Sequence, residues 1–182
     1  SCRLRMNIFY LSEDPVQCAK WHCDKHVTKM IIEYAQLLST AHRVLDGEHV
    51  KVISNSGKRM VSNWKLDGDS DKVFYKVAHV SHPSNIWVRQ SGDHYIYLWR
   101  LWHNLCMEYT ERYDKTHMTW KKLRSYLSIL PQNIQNNGFK EPPQCMPDEC
   151  KEISAVRAYR NFYKAHKREF ATWKTEIPSW FN

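Results

Sequence analysis

The sequence predicts a mainly α protein, a compact single-domain helical fold with one small β-hairpin. Three observations support this prediction. The 182 residues suit one domain that buries a sizeable core. Hydrophobic residues make up 42 % and charged residues 25 %, which is typical of a globular chain and excludes a disordered one. Apolar residues also recur at steps of three and four along most of the chain, as amphipathic helices require.

The first helix is predicted to follow a short apolar start over residues 6–11, which is either a strand or an extended lead-in. Ser12 or Asp14 is expected to cap this helix, and Pro15 fits its first turn. Its apolar periodicity continues to about Leu45. One long helix is therefore expected in the first quarter of the chain.

The sequence pattern over residues 50–84 predicts a hairpin followed by a bend. Residues 50–54 and 58–64 flank the short glycine turn at 55–57. A short segment over residues 72–80 leads to residues 81–84, where Pro83 is expected to block a helix and mark a bend.

Three more helices are predicted in the second half. One spans residues 93 to about 114, one runs to about 130 from a cap at Thr116 or Thr119, and the last spans about 151–171. A polar loop rich in Pro, Gly and Asn occupies residues 132–148. The aromatic tail at 177–181 is expected to pack back onto the body, because a free tail rarely carries Trp and Phe.

The composition also bears on location. No apolar run approaches the ~20 residues of a membrane-spanning helix, and the sequence shows no positively charged start followed by an apolar signal segment. We therefore expect a cytoplasmic protein, in the host cell if the source is viral, whose six cysteines are reduced and mostly buried. Whether Cys145 and Cys150 form a disulfide stays open at this point.

The charge balance indicates a polyanionic partner. Twenty-seven Lys and Arg against nineteen Asp and Glu give a net charge of +8. A surface this basic attracts nucleic acid, and interleaved aromatic residues can stack on unpaired bases. The alternative is a basic globular protein whose aromatic residues form its core.

One face of the first helix carries an ordered polar stripe. Its members follow one another at steps of three and four, so they lie on one side of the helix: His22, His26, Lys29, Glu33, Gln36 and Thr40. A carboxylate among cations can act as a general base or stabilise a cationic intermediate, and a lysine near other cations can become a nucleophile. The alternatives are a solvated face and a simple i,i+4 ion pair between Lys29 and Glu33.

Two other groups of residues suggest chemistry. His22 and His26 are spaced so that they could share a metal ion, although the His-Glu-x-x-His order is absent and the spacing alone assigns no metal or cofactor. Residues 82–89 combine His82, Trp87 and Arg89 next to a proline. This segment indicates either a phosphate or base pocket, or a turn that places Trp87 in the core.

The order of these pieces resembles the phage endonuclease V type of pyrimidine-dimer DNA glycosylase. The resemblance spans most of the chain in short, degenerate motifs. They are Met6-Asn7-Ile8-Phe9-Tyr10-Leu11, Glu33-Tyr34-Ala35-Gln36-Leu37-Leu38, His82-Pro83 with Trp87, Glu111-Arg112-Tyr113 and Pro178-Ser179-Trp180-Phe181.

The resemblance implies a helical enzyme that bends duplex DNA and flips out a base. It implies that Glu33 is the essential carboxylate and that Asn7 supplies an amine, with His26, Lys29 and Gln36 near the lesion. If residues 1–5, which precede Met6, are native, the amine of Asn7 is not free. Lys25 or Lys29 is then the alternative amine, or the enzyme is a glycosylase without lyase activity.

The sequence thus predicts a monomeric DNA glycosylase that acts on a damaged or modified base in duplex DNA, with or without strand cleavage. Its expected catalytic residues are Glu33, Asn7, Lys29 and His26. Its expected nucleic-acid contacts are His22, Lys25, Gln36, Arg43, His82 and Arg89. No cofactor is expected. Two alternatives remain: a metal-dependent nuclease that uses His22 and His26, and a nucleic-acid-binding protein without catalysis.

Overall fold

A computed structural model describes residues 6–182 and confirms the mainly α fold with one hairpin. Among these residues the helices are α1 Pro15–Trp21, α2 Asp24–Asp46, α3 Ser70–Val73, α4 Pro83–Gln90, α5 Gly92–Tyr113, α6 Met118–Leu127 and α7 Ala155–Phe162. The strands are β1 Glu48–Ile53 and β2 Met60–Lys65, which pair antiparallel. The five residues that precede Met6 lie outside the part of the chain that the structure describes.

The core forms where α2 crosses α5. Trp102 on α5 is fully buried, and its Nε1–H donates to the carbonyl of Ile31 on α2 at 3.1 Å. Residues 6–11 form an extended lead-in rather than a strand, since no other segment pairs with it among the described residues. This lead-in is buried along its whole length, and Phe9 N–H donates to the Tyr34 hydroxyl at 3.1 Å. The N-terminal segment is therefore part of the core.

The long first helix expected from the sequence is interrupted. α1 ends at Trp21, and His22 and Cys23 adopt extended backbone angles before α2 begins at Asp24. The guanidinium of Arg112 on α5 donates to the carbonyls of Lys20 and His22 at 2.9 and 2.8 Å. It thus satisfies carbonyl groups that a continuous helix would have bonded internally, which stabilises the break.

The hairpin agrees with the prediction, with slightly shifted strand ends. β1 and β2 are aligned so that Glu48 faces Lys65 and Ile53 faces Met60. Gly57 in the connecting turn has a φ of 70°, a left-handed conformation that glycine adopts without a steric penalty. His49 and Trp64 face each other across the strands with their rings stacked at 4.5 Å. The hairpin projects directly after α2.

The bend expected at residues 81–84 is the start of a helix that was not predicted. Pro83 occupies the first turn of α4, where a missing N–H costs nothing. The Nδ1 atom of His82 accepts a hydrogen bond from Ser84 N–H at 3.1 Å and caps the helix. α6 begins in the same way, with His117 rather than Thr116 or Thr119 as its cap.

The second half of the chain follows the prediction in outline. α5 matches the expected long helix, and residues 132–147 are irregular. The last helix is shorter than expected, because α7 starts after its Ser154 cap and continues as a π-helical turn over Tyr163–Lys167. The tail packs back onto the body as predicted, with Phe181 buried.

The five cysteines of the described residues are buried, and Cys18, Cys23, Cys106 and Cys150 are free thiols. The prediction of reduced, buried thiols is thereby confirmed for these four, and Cys145 and Cys150 do not form a disulfide with each other. None of the helices within residues 6–182 is both long and apolar enough to cross a membrane.

Candidate active site

The four residues predicted to be catalytic line one cleft of about 640 Å³. This volume lies within the range of about 300–1,000 Å³ that is typical of ligand sites. α2 contributes His26, Lys29 and Glu33, and the lead-in contributes Asn7. The wall on the other side comes from the C-terminal part of the chain. Its members are Cys145, Met146, Pro147, Phe162, His166, Lys167 and Phe170.

Glu33 and Lys29 form an ion pair at the cleft. The Oε2 atom of Glu33 lies 3.5 Å from Nζ of Lys29, one helical turn away. The carboxylate is mostly buried, and Oε2 has no hydrogen-bond donor among the described residues. Burial raises the pKa of Glu33 above its ordinary value, and the positive charge of Lys29 opposes this rise. An under-satisfied carboxylate of this kind is suited to accept a proton or a ligand donor.

His26 is a neutral imidazole in the inner part of the cleft. Its Nδ1 lies 2.6 Å from the Tyr163 hydroxyl, which also accepts a hydrogen bond from Cys23 N–H. The Tyr163 hydroxyl therefore donates its own proton to Nδ1 of His26. The proton of the neutral imidazole then lies on Nε2. Burial, together with the charges of His22 and three lysines, lowers the pKa of His26 to about 2. The ring also stacks on Phe9 at 4.3 Å.

Asn7 contributes its side chain to the cleft. The residue is buried, and its Oδ1 atom has no hydrogen-bond donor within residues 6–182. Its backbone nitrogen is bonded to Met6, so in this chain it is an amide and not a nucleophilic amine. The amine role of Asn7 stays a prediction, and the position of Asn7 at the cleft agrees with its predicted place in the site.

The outer part of the cleft combines cations with an accessible aromatic ring. Nζ of Lys25 lies 4.4 Å above the ring of Phe170, and Nζ of Lys167 lies 5.9 Å from the same ring. Phe170 is half-buried, whereas Phe9 and Phe162 are buried beneath it. An aromatic ring flanked by ammonium groups can stack on a base while the cations attract phosphates.

The predicted nucleic-acid contacts divide into exposed and buried residues. Lys25 is exposed beside the cleft, and Gln36 is half-buried one turn beyond Glu33 but does not line the cleft. His22 is fully buried, so its predicted role as a surface contact is wrong. Its Nδ1–H donates to the Cys18 carbonyl at 2.7 Å, and its Nε2 lies 2.7 Å from the Tyr34 hydroxyl.

Two further predicted contacts have structural roles instead. Arg43 is buried beneath the hairpin, where its guanidinium bonds Asp71 and four backbone carbonyls. His82 is buried at the cap of α4. Neither side chain can reach a nucleic acid without unfolding its surroundings. Arg89 is half-buried, and its Nη1 has no acceptor within the described chain.

The proposed metal pair does not fit the geometry. Both ring nitrogens of His22 have protein partners, and the rings of His22 and His26 are 6.5 Å apart at an angle of 66°. A different set, Glu149, Cys150 and His166, brings potential metal-ligating atoms together beside the cleft.

The chain matches no protein-family model, no curated protein sequence and no solved structure. The site must therefore be interpreted from its own chemistry. A half-buried carboxylate, an ammonium group, a neutral imidazole and an amide surround a cavity with an aromatic ring and cations at its mouth. This set can bind an anion, stack on a ring and transfer a proton.

The sequence did not identify the C-terminal wall of the cleft. Phe162 and Phe170 were expected only as members of the last helix, over about 151–171. The sequence feature that could have indicated this wall is the basic run between these two residues, which includes Lys164, Lys167 and Arg168. That run indicates a cationic surface but not which part of the fold it faces.

Proposed function

We propose that this protein is a DNA N-glycosylase that removes a damaged or modified base from duplex DNA. The observation that carries the proposal is the convergence of Glu33, Lys29, His26 and Asn7 on one cleft with a cationic, aromatic mouth. The net charge of +8 supports a polyanionic substrate.

Glu33 is the proposed catalytic carboxylate. Cleavage of a base–sugar bond develops positive charge on the sugar, which a nearby carboxylate stabilises. The same carboxylate can take a proton from the attacking water. Apart from its ion pair with Lys29, Oε2 of Glu33 has no hydrogen-bond donor among the described residues, and this supports the role, because a carboxylate with a purely structural task is usually fully hydrogen-bonded.

Lys29 is the proposed amine for strand cleavage after the base has left. Its Nζ would condense with the C1′ aldehyde of the abasic sugar to give an imine and one water. Loss of a C2′ proton then expels the 3′ phosphate and breaks the strand. Glu33 supports this step, since its carboxylate lies 3.5 Å from Nζ of Lys29 and can take the proton.

The outer residues are proposed to hold the substrate. Phe170 would stack on an extruded base, and Lys25 and Lys167 would contact the flanking phosphates. His26 would donate from Nε2 to the sugar or to a phosphate, because it stays neutral at physiological pH.

The test uses three duplexes of one sequence: undamaged, ultraviolet-irradiated, and carrying one abasic site. The wild-type protein is expected to release bases from the irradiated duplex and to leave the undamaged one intact. Glu33→Gln is expected to lower the rate of base release by at least about 100-fold, the usual contribution of a positioned acid–base group. Glu111→Gln removes an exposed carboxylate on α5 outside the cleft and is expected to have no effect.

Cutting of damaged and undamaged duplexes at equal rates would contradict the proposal. Salt-dependent DNA binding without any product, unchanged by Glu33→Gln, would favour the non-catalytic alternative. The amine is tested separately by borohydride reduction on the abasic duplex, which traps an imine as a stable adduct. The adduct is expected on Lys29 and absent from Lys29→Arg, whereas an adduct on Lys25 would transfer the role to that residue.

A further inference from the structure

A second group of chemically active side chains lies behind the C-terminal wall of the cleft. Glu149 and Cys150 belong to a short 3-10 turn, Asp148–Cys150, and His166 lies on the π-helical turn after α7. The carboxylate oxygen, the thiol sulfur and the imidazole nitrogen all lie within 4.8 Å of one another. Cys150 is buried, while Glu149 and His166 are exposed to solvent.

These separations are close to those around a bound zinc ion. Zinc–ligand bonds of about 2.0–2.3 Å in a tetrahedron place neighbouring ligand atoms about 3.3–3.8 Å apart. Nε2 of His166 and Oε1 of Glu149 are 3.3 Å apart. The thiol sulfur therefore needs to move by at most about 1.5 Å, within the range of side-chain adjustment on metal binding.

We propose that Glu149, Cys150 and His166 bind a zinc ion with a fourth position left to water. One thiolate, one imidazole and one carboxylate form a mixed donor set that suits zinc better than magnesium or calcium, which prefer oxygen ligands alone. The Cys150 thiol releases its proton on binding, because the thiolate is the ligand. The half-exposed position gives the ion access from solvent.

The ion would connect two segments that form one wall of the cleft. Cys145, Met146 and Pro147 line the cleft directly before the turn that holds Glu149 and Cys150. His166 lines the cleft from the π-helical turn. Residues 132–147 carry no regular secondary structure, so a metal link at Cys150 would hold this wall against the end of α7.

The experiment titrates the reduced, metal-free full-length protein with Co²⁺ and follows its visible absorption. Wild-type protein is expected to bind one equivalent of cobalt with a thiolate-to-metal charge-transfer band, and zinc is expected to displace it. Cys150→Ser is expected to abolish the band, and His166→Gln to weaken binding by at least about 10-fold. His49→Gln removes an exposed histidine on β1 and is expected to leave binding unchanged.

His166→Gln keeps the proposal testable if Cys150→Ser fails to fold, because His166 is exposed. Absence of a charge-transfer band in the wild-type protein would overturn the proposal. A band that persists in Cys150→Ser, or cobalt binding that is equal in His166→Gln and wild type, would also overturn it. These readouts do not use DNA, so they are independent of the proposed glycosylase activity.

Discussion

Two polar clusters, one around Arg43 and one around Arg112, differ from the cleft in how completely their polar groups are hydrogen-bonded. Arg43 and Arg112 are buried, and all five N–H donors of each guanidinium have acceptors. In the cleft, Oδ1 of Asn7 and Oε2 of Glu33 have no donor among the described residues. The same fold thus contains saturated polar clusters and an unsaturated one.

This difference separates stability from binding. A buried charge costs free energy unless its hydrogen bonds are complete, so the saturated clusters have the character of structural anchors. Buried acceptors left without a donor at the wall of a cleft carry a cost that a ligand donor can remove if the side chains turn toward it. The contrast therefore indicates which polar residues to mutate for stability and which for activity.

The largest expected loss of stability follows from replacing Arg43, the centre of one saturated cluster. Arg43→Met leaves Asp71 and four carbonyls without their donor. We expect the free energy of unfolding to fall by about 3–5 kcal/mol, because each buried carbonyl that loses its donor costs about 1–3 kcal/mol. Denaturant unfolding measures this change. Arg100→Met, an exposed arginine on α5, should change stability by less than about 0.5 kcal/mol, and an equal loss in both variants would contradict the contrast.

A smaller loss in the free energy of unfolding is expected when the pH is lowered, because His26 is buried. Burial lowers the pKa of His26 to about 2, so below its unfolded value near 6.5 only the unfolded chain binds a proton. The stability contribution is complete above pH 6.5 and is lost as the pH falls. Lowering the pH from 6.5 to 5.5 should therefore cost about 1 kcal/mol for this histidine alone.

Unfolding curves at pH 6.5 and 5.5 measure this loss. His26→Gln removes the titrating group, so its stability should fall by about 1 kcal/mol less than that of the wild type over the same interval. His49→Gln serves as the exposed control and should retain the wild-type slope. A wild-type slope in His26→Gln would show that His26 is not buried in the neutral form.

The smallest stability effect is expected in the cleft. Burial raises the pKa of Glu33, so its carboxylate favours folding at low pH and opposes it as the pH rises through the folded value. At pH 7, Glu33→Gln should leave the free energy of unfolding unchanged or raise it by up to about 1 kcal/mol. Thermal unfolding of this variant beside Glu111→Gln tests the point, and a loss above 1 kcal/mol would assign Glu33 to structure.

The sequence was most informative where structure depends on local periodicity. The apolar pattern from 93 to 114 predicted α5, and the glycine turn predicted the hairpin. The break at His22–Cys23 could not be predicted, because it depends on Arg112, ninety residues away from His22. α4 was missed because Pro83 was taken as a helix blocker rather than a first-turn residue.

Local periodicity also predicted one wall of the cleft, the wall formed by α2, but not the facing wall. Steps of three and four along α2 placed His26, Lys29 and Glu33 on one face, and all three line the cleft. The facing wall depends on which distant segment packs there, and local spacing does not contain that information. Arg43 was assigned to nucleic acid because its backbone acceptors cannot be identified from neighbouring residues.

The cleft combines residues from both ends of the chain, which has a consequence for synthesis. During synthesis the segment from Asn7 to Glu33 leaves the ribosome well before the segment from Cys145 to Phe170. The cleft is therefore incomplete until Phe170 has been made. A nascent chain that stops before Cys145 would carry Glu33 and Lys29 without the wall that encloses them, so ligand binding at the cleft should require the later segment.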